Sequence, residues 1–377
     1  MNLFDVYPLI PVTPVKALGC TLWDDQGQEY LDLYGGHAVI SIGHSHPHYV
    51  QRITEQVNQL GFYSNSIQIP LQQQLANKLA ELSCLHSYQL FLINSGAEAI
   101  ENAIKMASFV TKKSGFIAFK GSFHGRTSGA VALTDNPKLI APCNAREDFH
   151  FIQLGDLAGV EALLSTNTIA GIIIEGIQGV GGIQVPNPDF LLGLYQLAKK
   201  YEVKLILDEV QSGYGRTGRF FAHQWVDGVY PDLITIAKGM GNGFPIGGLL
   251  LSPEFKASYG LLGTTFGGNH LACAAGLAVL EVLESEHLQQ KALELGERLM
   301  AELRTIPGVV DVRGKGLMIG LDLNQDAGPI RSLLVSKYKI FTGSAAGKET
   351  IRLLPPLSVE WNQLHSFVTA LKEVLAS

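Results

Sequence analysis

The sequence predicts an α/β fold: a large domain with a mostly parallel sheet flanked by helices, plus a smaller α+β domain. Three observations point to it. From about residue 90 to 251, short apolar runs alternate with helical patterns. Several of those runs are apolar at every position, as strands buried on both faces are. From about residue 270 the pattern changes to two helices, then strands, then a last helix.

The elements follow in order. Residues 1–35 read as an extended arm, rich in proline at Pro8, Pro11 and Pro14, followed by short strands that turn at Asp24–Gly27. LFLI (90–93) is a strand, and residues 97–110 form a helix with apolar residues at three- and four-residue spacing. FIAF (116–119), AGIIIE (170–175), VKLIL (203–207), LITIA (233–237) and GGLLL (247–251) are further strands, and residues 190–201 form a crossover helix. Strands near 317–323 and 350–353 and a helix from Glu360 complete the smaller domain. The expected division is an arm over 1–43 that joins the small domain, a large domain over 44–270 and a small domain over 271–377.

Composition narrows the function. Apolar residues make up 46% of the 377 and charged residues 16%, which suits a globular chain and not a disordered one. Twenty-eight basic against 34 acidic residues give −6, with no Lys/Arg run of the kind a nucleic-acid binder carries. Cys20, Cys84, Cys143 and Cys273 are widely spaced, which fits reduced thiols in the cytosol better than a disulfide or zinc framework. The first residues lack the basic start of a signal peptide, and the apolar stretch 271–280 is too short to span a membrane.

In open α/β sheets, ligands bind beyond the carboxyl ends of the strands. Three such ends carry chemistry. LFLI runs into NSGAEA, where Ser95, Gly96 and Ala97 leave backbone N–H groups free at a helix start, a seat for phosphate or simply a capped turn. VKLIL runs into Asp208 and Glu209, acids that can cap the next element or face a ligand's ring nitrogen or ribose. LITIA runs into Lys238, either a snorkelling lysine or an amine whose pKa falls enough to form an imine. A phosphate seat, an acid and a lysine at one sheet edge match the needs of pyridoxal phosphate. SFHGRT (122–127) offers an aromatic face for its ring.

The runs NSGAEAIENAIK, FHGRTSGA, LDEVQSGYGRTG, AKGMGNGFPIGG, TTFGGN and IRLLPPL appear in that order. Together they closely resemble the class III, fold type I, pyridoxal phosphate-dependent aminotransferases, and within them the acetylornithine, succinylornithine and ornithine aminotransferase group. The resemblance runs from LDLYGGHAVISIGHSHP (31–47) to the final helix. It implies a transaminase that moves the δ-amino group of an N2-acyl-L-ornithine to 2-oxoglutarate, in arginine biosynthesis in the cytoplasm, as a homodimer with shared active sites. By the same resemblance Lys238 carries the cofactor as a Schiff base and moves the proton. Asp208 pairs with the ring nitrogen and Gln211 with the ring hydroxyl. Gly96 and Ala97 hold the phosphate with Ser95, Phe123 stacks on the ring, and Glu175 is the kept acid of the family's E-P-x-Q-G-E segment. Thr265 reaches the phosphate of the neighbouring subunit, Arg126 binds the substrate carboxylate, Arg352 binds the α-carboxylate of glutamate or 2-oxoglutarate, and Tyr63 lines the substrate pocket or the core.

One departure stands out. In EGIQGVGG (175–182), Val180 occupies the second acid's position and Gly176 the proline's. In the family that acid can mask the arginine corresponding to Arg352. Arg352 is therefore expected to be open in both half-reactions, or paired elsewhere, which leaves room for a donor with an extra anionic group such as N-succinyl. Ornithine or 4-aminobutyrate as donor is the alternative within the family.

Other patterns carry less. GYGRTG (213–218), with Asp232 beyond it, fits the dinucleotide fingerprint of an NAD-dependent dehydrogenase. It does not sit directly between strand and helix as that site needs. His44, His46 and His48 read as exposed loop histidines rather than metal ligands, and no metal site is expected. The Glu/Lys-rich region near 281–304 reads as solvated surface.

Overall fold

The structure, a computed structural model, describes residues 1–376. The arm leads into β1 (Pro14–Leu18), β2 (Thr21–Asp24) and β3 (Glu29–Asp32), an antiparallel meander. Next come two helices, Pro47–Gln59 and Pro70–Ser83, then β4 (Gln89–Ile93) and helix Gly96–Thr111. The strands β5 (Gly115–Phe119), β6 (Phe149–Ile152), β7 (Ile169–Glu175), β8 (Lys204–Asp208), β9 (Leu233–Ile236) and β10 (Gly247–Leu251) follow. Helices Leu157–Leu164 and Pro188–Lys200 lie between them.

These strands form one seven-stranded sheet in the order β4-β10-β9-β8-β7-β5-β6. Neighbouring pairs are parallel from β9 to β6, and only β10 runs against its neighbours. Strands β5, β7, β8, β9 and β10 are buried at every position, the reason their sequences are apolar without alternation.

The rest of the chain starts with helices His270–Ser285 and Leu288–Leu303. It continues through β11 (Val309–Lys315), β12 (Met318–Leu323) and helix Ala327–Ser336, then β13 (Ile340–Phe341), β14 (Gly343–Ser344), β15 (Thr350–Leu353) and helix Trp361–Leu375. β11, β12, β15 and β14 form a second sheet, while β13 pairs with β3 and so joins the N-terminal meander to the C-terminal part.

Two expectations need correction. The acids near 281–304 are not simply solvated. Glu281 pairs with His48 and Arg52, Glu284 with Lys78 and Glu286 with His46, tying helix His270–Ser285 to the two early helices. Nor are the three histidines free in a loop, because His44 bonds Asp32 and each of the others has its own acid. Among the described residues no helix is long and apolar enough to cross a membrane.

Candidate active site

The strand ends meet where the sheet topology brings them. Asp208 is the last residue of β8, in register with Glu175, the last of β7. Lys238 follows β9 by two residues, Ser95 follows β4 by two, and Phe123 and His124 follow β5. A cavity of about 290 Å3 opens there, lined by Ser95, Gly96, Ala97, Phe123, His124, Glu175, Val180, Asp208, Gln211 and Lys238 among others.

The candidate phosphate seat is the start of helix Gly96–Thr111. The Ser95 side chain accepts from the Glu98 N–H at 3.2 Å. The N–H groups of Gly96 and Ala97 have no acceptor within the helix, as first-turn donors never do. Glycine is required at 96, where a Cβ would come within 2.8 Å of Val210 Cγ1. The capped turn and the candidate anion seat are thus the same turn.

The acids after β8 divide the work. Glu209 turns into the protein, where its oxygens accept from Ser212 Oγ, the N–H groups of Ala222 and His223, and His223 Nδ1. It fixes the loop that carries Gln211. Asp208 faces the cavity. Its Oδ1 accepts from Val210 N–H at 3.0 Å, and its Oδ2 lies 2.7 Å from Nδ1 of the buried His124. His124 is the residue the sequence did not single out. It sits in SFHGRT, but only the fold carries it across 84 residues to Asp208.

Glu175 also lines the cavity. Its Oε1 accepts from Phe123 N–H at 3.0 Å and its Oε2 from Gly179 N–H at 2.8 Å. It therefore clamps the loop that presents the Phe123 ring to the loop that passes Val180. Burial pushes its pKa up to about 7, against the pull of His124 and with the push of Asp208.

Lys238 holds a left-handed backbone, φ 44°, a strained choice for a residue with a side chain. Burial lowers its pKa, and Asp208 and Glu175 only partly oppose that fall. Gln211 donates to the His37 carbonyl at 3.2 Å and accepts from Arg352 Nη1 at 3.5 Å. Gly179 backs it, since a Cβ at 179 would collide with the Gln211 amide.

The remaining expected residues lie outside this cavity. Arg352 is buried on β15 and reaches the site through Gln211. Arg126, Tyr63 and Thr265 are exposed. GYGRTG forms a buried turn, with the Arg216 guanidinium donating to the carbonyls of Leu317 and Pro355. It links the large sheet's loops to the C-terminal sheet and does not open a helix.

The residues present fit pyridoxal phosphate on structural grounds. Free helix-start donors, a buried acid, a lysine of lowered pKa and an aromatic ring line the same cavity.

Comparison with known proteins agrees. The family described as aminotransferase class-III matches residues 5–375. An acetylornithine aminotransferase from Methanopyrus kandleri is 38% identical over 375 residues, covering 98% of this chain and 96% of that one. Another, from Aquifex aeolicus, is 38% identical over 386 residues, covering 99% of each. The ornithine aminotransferase structure from Toxoplasma gondii superposes with a TM-score of 0.91 at 28% identity, over 98% of this chain and 91% of that one. The acetylornithine aminotransferase structure from Elizabethkingia anophelis gives 0.85 at 30% identity, over 98% and 95%.

Proposed function

The chain belongs to the class III aminotransferases, and we propose that it moves the δ-amino group of an N2-acyl-L-ornithine, such as N-acetylornithine, to 2-oxoglutarate. The products are the N-acylglutamate 5-semialdehyde and glutamate. What carries this reading is the meeting of Lys238, Asp208 and the free turn at Gly96 in one cavity, in a chain 38% identical to acetylornithine aminotransferases over nearly its whole length.

Pyridoxal phosphate, when bound, supplies a ring that takes up the electron pair left on carbon as a proton departs. Gly96 and Ala97, with Ser95, would hold its phosphate, Phe123 its ring face, Gln211 its hydroxyl and Asp208 its ring nitrogen. Thr265 would reach the phosphate of a second copy. His124 keeps Asp208 aimed and supplies a hydrogen-bond partner for its buried carboxyl group. Lys238 Nζ is the mobile base. Its lowered pKa raises the neutral share that can take a proton from the donor carbon and return it one bond pair away. Arg126 would bind the donor's carboxylate as a two-pronged partner, and Arg352 the α-carboxylate of 2-oxoglutarate. The setting the resemblance implies is arginine biosynthesis in the cytoplasm.

A half-reaction panel tests the reading. N-acetylornithine, N-succinylornithine, ornithine and 4-aminobutyrate are mixed separately with the holoenzyme, and loss of the cofactor's visible absorbance is followed. The acylated donors are expected to give the highest kcat/KM. A strong preference for free ornithine or 4-aminobutyrate would replace the N-acyl donor.

A further inference from the structure

Arg352 is 4% exposed, yet among the described residues it has no carboxylate partner. Its guanidinium donates to three neutral oxygens: the Ser344 carbonyl, the Gln211 amide and the Tyr34 phenol, the last at 3.1 Å. Tyr34 is held neutral and in place. Burial raises its pKa above the usual phenol value despite Arg352 and Arg331 nearby. Its oxygen accepts from Arg352 and is also hydrogen-bonded to His37 Nδ1, 2.6 Å away. Gly343 leaves the space for its ring, since a Cβ there would lie 2.2 Å from Tyr34 Cε2.

His37 in turn sits on a left-handed turn. Gly35, Gly36, His37 and Ala38 have φ of 56°, 55°, 66° and 63°. Consecutive residues in that region are costly for side chains, at roughly 1–2 kcal/mol each. Such strain persists where a site depends on it. His37 itself is pushed below 6.5 by burial and by Lys238, Arg352 and Arg126, so the partner of Tyr34 is also neutral. No wall acid bonds Arg352 among the described residues: Val180 lies there, Asp208 faces His124, and Glu175 accepts from backbone N–H groups and acts on Arg352 only through its charge.

Unlike Arg216, which is spent on carbonyls away from the cavity, Arg352 borders the Lys238 site through Gln211, where a ligand carboxylate can supply the anion it lacks. Arg352 touches Gln211, a wall residue of the Lys238 cavity, and its charge is felt at Lys238. A carboxylate docked on it is therefore borne close to the reacting amine. We infer that the site, resting on the function proposed above, also transfers the α-amino group of unacylated diamino acids, and that N2-acylation of the donor, rather than a protein acid, directs transfer to the δ-amine. Free ornithine seats its own carboxylate on Arg352 and presents its α-amine. An N2-acyl group removes that choice, because the α-nitrogen is then an amide. The balance is ornithine plus 2-oxoglutarate to 5-amino-2-oxopentanoate plus glutamate. The α-carbon–nitrogen bond breaks, the carbonyl oxygen comes from water, and the acceptor's carbonyl oxygen leaves as water. The oxo acid then closes to 1-pyrroline-2-carboxylate, whereas δ-transfer yields 1-pyrroline-5-carboxylate.

The two rings are told apart by NMR after incubating the holoenzyme with L-ornithine and 2-oxoglutarate. The 2-carboxylate is expected to predominate. Val180→Glu should move the product ratio toward the 5-carboxylate by about tenfold, the worth of one charge-assisted contact to Arg352. Tyr34→Phe keeps the ring and removes only the oxygen. It should raise KM for ornithine and for 2-oxoglutarate more than for N-acetylornithine, and weaken glutarate binding measured by calorimetry. A predominance of the 5-carboxylate from the unsubstituted enzyme overturns the inference, as does an equal KM change for all three substrates. Failure of the function proposed above looks different: the acylated donors then fall well below free ornithine or 4-aminobutyrate in kcat/KM, whichever ring ornithine gives.

Discussion

Glu175 and Asp208 stand side by side at the ends of β7 and β8, yet their surroundings separate them. Asp208 has His124 as a partner, while Glu175 has only backbone donors in a buried setting. The Glu175 pKa rises from 4.5 to about 7, so the folded protein holds this proton where the unfolded chain has lost it. Its contribution to stability is full below pH 4.5 and is lost as pH climbs through about 7. That amounts to about 3 kcal/mol across the window. Denaturant midpoints of the cofactor-free protein should fall over this range, and Glu175→Gln should flatten that slope. At this scale the sequence was legible where chemistry follows directly on an apolar strand, as at Asp208 and Lys238. It was silent on His124 and Tyr34, whose partners lie 84 and 318 residues away and are met only through the fold.

Helix Gly96–Thr111 shows how one element serves two ends. Its Ser95 cap stabilises the turn, and the same turn leaves two N–H groups for an anion. Gly96→Ala forces a Cβ against Val210 and is expected to cost about 1–3 kcal/mol. The expected readouts are weaker retention of pyridoxal phosphate in equilibrium dialysis and a lower denaturation midpoint. The buried strands were readable because burial on both faces leaves no polar position. β6 and β11 were not, since FHFI is only partly buried and VVDVRGK carries charges on an exposed edge. The helices Pro47–Gln59 and Pro70–Ser83 escaped notice for a related reason. Both are polar on average, and the first buries no residue fully.

For the whole molecule, the apolar surface is unevenly spread. Leu3, Phe4 and Leu9 of the arm are almost fully exposed, and Phe62, Tyr63 and Phe266 stand exposed near Thr265. Surface of this kind is what a partner covers. A homodimer is the assembly proposed here, and sedimentation equilibrium should return twice the 40.8 kDa chain mass. Deleting residues 1–12 should shift that equilibrium toward single chains and lower cofactor retention. The layout also divides labour. Asp208 ends a strand of the large sheet and Lys238 follows another, whereas Arg352 and Gly343 belong to the C-terminal sheet and Tyr34 follows β3. On the function proposed above, substitutions in the latter segments retune which molecules are admitted while the proton-handling residues stay intact, a modularity that leaves this scaffold open to new substrates.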